Sequence, residues 1–172
     1  KIKNSGQSKF NYNYVKKKIN KLTIKNLNSK KLLSDKLASE ASVIARDQKI
    51  RKLVYAFQRK CAYNPPKKYN GSCLDGRDIC SIIVPDADIK LFITANIGIR
   101  AKRRYRELKQ KNLKISFNEV LKSIKIRDKS DIKRKISPLK KTNDSILINT
   151  SNLSIRRSFL KIKKIIDKKI KN

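Results

Sequence analysis

Short apolar runs alternating with longer helical stretches constrain this chain more than any other feature of its sequence. Ser72–Asp75, Ile82–Val84, Ile89–Thr94 and Ile146–Asn149 are too short for helices, and Gly76, Pro85 and the Asp86/Asp88 pair bound the first three. Runs of that kind read as buried strands of a parallel sheet. Helical periodicity lies between and behind them. A basic amphipathic helix is expected over Gly98–Lys111. Ser116-Phe117-Asn118-Glu119 is a capping box, and Val120, Leu121 and Ile124 form the apolar stripe of the helix behind it. A last helix carries Ile155, Phe159, Ile162 and Ile166 on one face. Strand, helix, strand, helix order implies an α/β fold with right-handed crossovers.

The N-terminal part is less patterned. Residues 1–30 are Asn/Lys-rich and would read alone as disordered, with possible strand pieces at Tyr12–Val15 and Leu22–Ile24. A helix is expected from a Ser34 cap through Leu37, Ala41 and Ile44. Ile50, Leu53, Val54 and Phe57 continue the period as a second helix or a bent continuation. Asn64-Pro65-Pro66 stops it.

Composition narrows the partner class. The 172 residues hold 46 Lys and Arg against 13 Asp and Glu, a formal net charge of +33. A nucleic-acid partner is the direct reading of that excess, and drift of surface positions toward Lys in a low-GC genome is the other. Lys outnumbers Arg 34 to 12, so an Arg marks a position where a planar fork for phosphate or carboxylate matters. Eight of the 12, Arg51, Arg77, Arg100, Arg103, Arg104, Arg106, Arg127 and Arg134, lie beside most of the acidic and Gly-Asp signals. No apolar run is long enough for a membrane span, and KIKNSGQSKF has no apolar stretch behind its lysines that would read as a secretory signal. Cys61, Cys73 and Cys80 without CxxC spacing or any His do not form a common zinc site, and their odd number favours reduced thiols in a cytoplasm.

Three constellations carry chemistry. Asp75-Gly76-Arg77-Asp78 follows an apolar run, where a sheet edge would present an anion-binding Arg and a hydroxyl- or base-binding Asp; a turn with a local Asp–Arg pair is the alternative. The GxxxxG of Gly71–Gly76 is not a phosphate loop, because Arg77-Asp78 stand where Lys and Ser/Thr are required. Arg127, Asp131 and Arg134 share a helical face at spacings of four and three, either as a ligand-binding group or as a solvated ion-pair ladder. Arg100, Arg103 and Arg104 cluster on one side of their helix and repel one another unless an anion arrives, which fits a phosphate-closing lid or an RNA-binding helix.

In this order, the stretches LDGRDICSIIVPDADIKLFITANIGIRAKRRYRELKQK, ISFNEVLKSIKIRDKSDIKRKISPLK and DSILINTSNLSI resemble the bacterial cytidylate kinase (CMP/dCMP kinase) family from about Ser34 to the C-terminus. The resemblance implies a P-loop nucleoside monophosphate kinase: a parallel-sheet core at 71–99 and 117–172, an NMP-binding remnant at 1–70 and a helical lid at 100–116. It implies transfer of the ATP γ-phosphate to CMP or dCMP, with Mg2+ accompanying ATP, in a monomeric cytoplasmic enzyme without a membrane or dedicated nucleic-acid partner. Carried over by motif, Ser42 and Arg51 lie at the cytosine, Asp78 contacts its edge and Arg77 holds the CMP phosphate. Arg127 and Asp131 bind the pentose hydroxyls, Arg134 lies by the transferred group, and Arg100, Arg103 and Arg104 are lid arginines.

The family's first strand, phosphate loop and loop Lys have no counterpart here, and position 1 is not Met. The expectation is a fragment that lacks them and is inactive alone. A lysine-rich, ribosomal-type RNA-binding protein is the runner-up, and a degenerate kinase relic a third reading.

Overall fold

The computed structural model describes residues 10–23, 26, 35–44, 47–111 and 113–170, and the chain falls into two compact units, 1–79 and 80–172. In the first unit, α1 (Tyr12–Ile19), α2 (Asp35–Ile44) and α3 (Gln48–Tyr63) are the regular elements described. The strand expected at Tyr12–Val15 is the start of α1. Asn11 caps it by accepting from the Tyr14 N–H at 2.9 Å, and Lys16, Lys17 and Lys18 in the last turn complement the helix dipole. These end effects outweigh the aromatic alternation. Leu22 and Thr23 form no strand, and Ile24 and the Ser34 cap lie outside the described residues.

The periodicity through Phe57 belongs to a separate helix rather than a continuation of α2. Asp47 caps α3, its carboxylate accepting from the Ile50 N–H at 2.9 Å, and Asn64 ends the helix. Helix α1 packs on α3, with Val15 and Ile50 buried. The Tyr12 hydroxyl donates to Asp47 at 2.8 Å, and Lys49 Nζ lies 5.3 Å from the Tyr12 ring centre. One carboxylate therefore both caps α3 and anchors α1.

The second unit carries β1 (Leu91–Thr94), α4 (Ile97–Gln110), α5 (Phe117–Lys133), β2 (Ile146–Asn149) and α6 (Ile155–Ile170). The strands pair in parallel, Leu91 with Ile146 through Thr94 with Asn149, so α4 and α5 form the crossover between them. Ala101 and Leu108 of α4 and Val120 of α5 are buried where these helices pack together, and the Tyr105 and Phe117 rings meet edge to face at 6.1 Å. The capping box is present: Ser116 Oγ accepts from the Glu119 N–H, and the Glu119 carboxylate accepts from the Ser116 N–H. Such a cap stabilises a helix by about 1 kcal/mol.

Two expected strands are absent among the described residues. Ser72–Asp75 forms none, because only Leu74 is part-buried there and no neighbouring strand supplies a ladder. Ile82–Val84 enters a π-helical turn, Ile79–Ile83, which buries Ile83. The two strands that do form are less buried than expected. Only Ile148 is fully enclosed, while Ile93 and Leu147 are exposed, since a sheet of two strands has no further strands to cover it. Helix α6 forms as expected, but no residue of it is fully buried: Ile155 and Phe159 of its stripe are exposed, and Ile162 and Ile166 half-buried. No described helix is long and apolar enough to cross a membrane.

Candidate functional site

The first unit joins two residues that the sequence separates by 27 positions. Arg51, on the first turn of α3, makes an ion pair with Asp78, both side chains mostly buried. Asp78 therefore does not end a strand, as the sequence implied. It lies in a bend that leads directly into the π-helical turn. A Cβ at Gly76 would come within 2.8 Å of the Ile79 side chain, which would have to shift to admit it. Arg77 is half-buried in the same bend. The Ser72 hydroxyl donates to the Cys61 carbonyl at 2.8 Å and ties the segment before the bend to the end of α3. Ser42 falls on α2, and its side chain lies outside the described residues.

The second unit builds its group around Asp131. This carboxylate is buried near the C-terminus of α5, with Arg127 Nε at 4.0 Å and Arg134 Nη1 at 3.7 Å. The expected bracket of two guanidiniums is present but unequal. Arg127 is about half exposed, whereas the Arg134 side chain is 9% exposed and Asp131 7%. A solvated ladder therefore does not describe the Asp131–Arg134 side. Arg134 is the C-cap of α5 rather than a residue of its last turn, and its Nε donates to the Ser137 carbonyl at 2.5 Å.

The three arginines of α4 do not stand together around an empty anion site. Arg100 makes a two-point contact with Asp128 at 3.0 and 2.6 Å and donates from Nε to the Ala95 carbonyl. Arg103 holds the loop after β2 through the Thr150 and Leu153 carbonyls at 2.6 and 3.0 Å. Arg104 pairs with Glu107 at 2.6 Å. Separate partners remove the mutual repulsion that the sequence implied. The bonds of Lys111 and then Arg104 hold the Glu107 carboxyl below the usual carboxylate range.

Sequence reasoning missed a polar cleft of about 580 Å³ at the carboxyl edge of β1 and β2, where open α/β sheets bind ligands. Asn96, Asn149, Ser151 and Asn152 line its polar side. Ser151 Oγ donates to Asn149 Oδ1 at 2.7 Å and accepts from the Asn96 N–H at 2.7 Å. The Asn-Thr-Ser-Asn run after a strand was the available signal. Asp128 was missed for another reason: its partner is 28 residues away, and no local spacing marks it. Among the described residues no group of three or more acids or cysteines could hold a metal ion, and Cys61, Cys73 and Cys80 are free thiols.

The family model described as "Cytidylate kinase" matches residues 4–168. A protein named cytidylate kinase from Bartonella henselae is 44% identical over 150 residues, covering 87% of this chain and 68% of the relative. Cytidylate kinases from Thermosipho melanesiensis and Clostridium botulinum are 41% and 45% identical, each covering 76% of this chain and 58% of their own length. The chain thus spans about three fifths to two thirds of the curated relatives it matches.

Proposed function

The chain belongs to the cytidylate kinase family, whose members have the P-loop kinase fold, and from that premise we propose that it carries the CMP-binding residues of an ATP-dependent kinase. The substrate class is CMP or dCMP, the donor ATP with its Mg2+, and the product CDP or dCDP. The observation that carries this reading is the ion pair of Arg51 with Asp78. Cytosine offers acceptors at O2 and N3 and a donor at its 4-amino group. A guanidinium beside a carboxylate matches that order. Uracil places a carbonyl where the amino group would be, facing the carboxylate, so the same pair rejects it.

The remaining roles follow the family resemblance. Asp131 accepts from pentose hydroxyls, Arg127 stands beside it, and Arg134 lies on the phosphate side. Arg77 of the first unit neutralises the CMP phosphate. Phosphoryl transfer needs positioning and positive charge around the equatorial oxygens, with no covalent step. The absence of His is therefore no obstacle. The lid role of residues 100–116 requires Arg100, Arg103 and Arg104 to exchange their present partners for ATP phosphate oxygens. The polar cleft at the carboxyl edge of β1 and β2 suits a nucleotide's polar edge. We place the enzyme in the cytoplasm, as a monomer, without a dedicated nucleic-acid partner. The lysine-rich RNA-binding alternative has no support from the family relationship.

No GxxxxGK[ST], the loop type that cradles ATP phosphates, occurs within the 172 residues. Calorimetric titration with CMP, followed by an ADP-release assay with CMP and ATP, tests both parts. Binding of CMP without turnover is expected. Absence of CMP binding would overturn the substrate assignment, and robust turnover by these residues alone would overturn the requirement for such a loop.

A further inference from the structure

Ser137 is the one non-glycine residue with a positive φ among those described, at 51°. Two rules oppose that conformation. L-residues with a Cβ avoid the left-handed region, and a following proline, here Pro138, pushes its predecessor toward extended backbone. Sparsely populated conformations of this kind persist where the surroundings over-determine them, and they concentrate at functional sites.

The surroundings of Ser137 show what the turn accomplishes. The residue is buried, 7% exposed. Its carbonyl accepts from Arg134 Nε at 2.5 Å, while the Leu139 N–H donates to the Asp131 carbonyl at 2.7 Å. The segment after α5 therefore folds back onto the end of the helix it has just left. Arg134 Nη1 meanwhile faces Asp131 Oδ1. A guanidinium is planar, so contacts at Nε and at Nη1 fix the direction in which its plane points. The left-handed turn thus sets the plane of a nearly buried arginine from the main chain, before any ligand binds.

We propose that Ser137 and Pro138 form a positioning turn for Arg134, orienting its guanidinium toward the phosphate of the bound nucleotide. This inference rests on the phosphate-side role proposed above for Arg134. It assigns to the Ser-Pro pair a function exerted through the Ser137 carbonyl rather than through either side chain.

The test separates orientation from packing. CMP and cytidine are titrated into the chain, and the ratio of their affinities reports the phosphate-dependent part of binding. Protection of the Arg134 Nε–H is followed in parallel by NMR, with and without nucleotide. Ser137→Val, which disfavours the left-handed region, is expected to lower the ratio about tenfold or more and to release the Nε–H. Arg134→Lys, which keeps the charge and loses Nε, is expected to lower the ratio as much, and the double variant no further. Ser137→Gly adopts the same φ without strain and is expected to keep both the ratio and the protected Nε–H. An equal loss of CMP and cytidine affinity in Ser137→Val would reduce the turn to a packing element and overturn the proposal. So would a ratio that survives Ser137→Val. A wild-type chain without preference for CMP over cytidine would overturn the proposed function together with this inference.

Discussion

The two units solve the problem of a buried carboxylate in opposite ways. In the first, Asp78 is held by an arginine 27 residues distant on another element, and the bend that carries it has little regular structure. In the second, Asp131 sits on a 17-residue helix between arginines of the same segment, with the following turn closing over the helix end. The first arrangement depends on tertiary contact, whereas the second is mostly written into helical spacing. The difference teaches which group should tolerate substitution nearby: local spacing survives loosening of the fold, and a long-range pair does not.

The largest effect expected is in the second unit. Asp131→Ala removes the carboxylate that faces the Arg134 guanidinium, which is 9% exposed. Removing one partner of a buried pair costs about 3–5 kcal/mol, so the urea midpoint should fall steeply and CMP binding should vanish. A loss below about 1 kcal/mol would mean that the pair behaves as an exposed ladder. Asp78→Ala in the first unit should cost about 1–3 kcal/mol, since Arg51 keeps more solvent access than Arg134 does. Hydrogen exchange should place that loss in α3 and leave α5 protected; loosening of α5 instead would contradict the division. Smaller still, Asp128→Ala breaks a pair whose side chains are about one-third exposed, worth about 1 kcal/mol or less, and thermal melting should move by a few degrees at most.

The smallest effects are in pH, and their signs differ between the units. In the second unit Glu107, Glu119 and Asp144 are all held below the usual carboxylate range: Glu107 by Lys111 and then Arg104, Glu119 by Ser116, and Asp144 by Lys90 and then Thr142. A depressed folded value adds stability that is present above about pH 4 and lost as pH falls through it. In the first unit the bond to Asp47 raises Tyr12 above the ordinary tyrosine value. That contribution is full below about pH 10 and lost as pH rises beyond it. Tyr12→Phe should therefore flatten the alkaline limb of a pH-stability profile and leave the acid limb in place. An alkaline limb that Tyr12→Phe leaves unchanged would contradict that contribution.

What the sequence made legible follows local spacing in both units. The Ser116–Glu119 box and the Arg127–Asp131–Arg134 spacing were readable because helices bring residues three and four apart together. The strands at Leu91–Thr94 and Ile146–Asn149 were readable as compact apolar runs. Ser72–Asp75 misled because a strand is defined by its neighbour, which no local pattern reports. Tyr12–Val15 misled because the Asn11 cap and the basic last turn favour a helix there. The Arg100–Asp128 contact and the partners of Arg103 lay beyond any spacing rule, at 28 and 47 or more residues. Ser137 ran against the rule for residues before proline, so its left-handed turn was visible only in three dimensions. The resemblance identified most of the candidate residues, and the structure supplied which of them touch.

If the Arg51–Asp78 pair reads cytosine, the ratio of CMP to UMP dissociation constants must depend on it. Calorimetric titration of both nucleotides into the wild-type chain and into Asp78→Asn, whose side chain can turn a donor toward the base, provides that ratio. A preference for CMP of about tenfold or more is expected in the wild type, collapsing toward equality in Asp78→Asn. Equal binding of CMP and UMP by the wild type, or a preference that Asp78→Asn leaves intact, would contradict it.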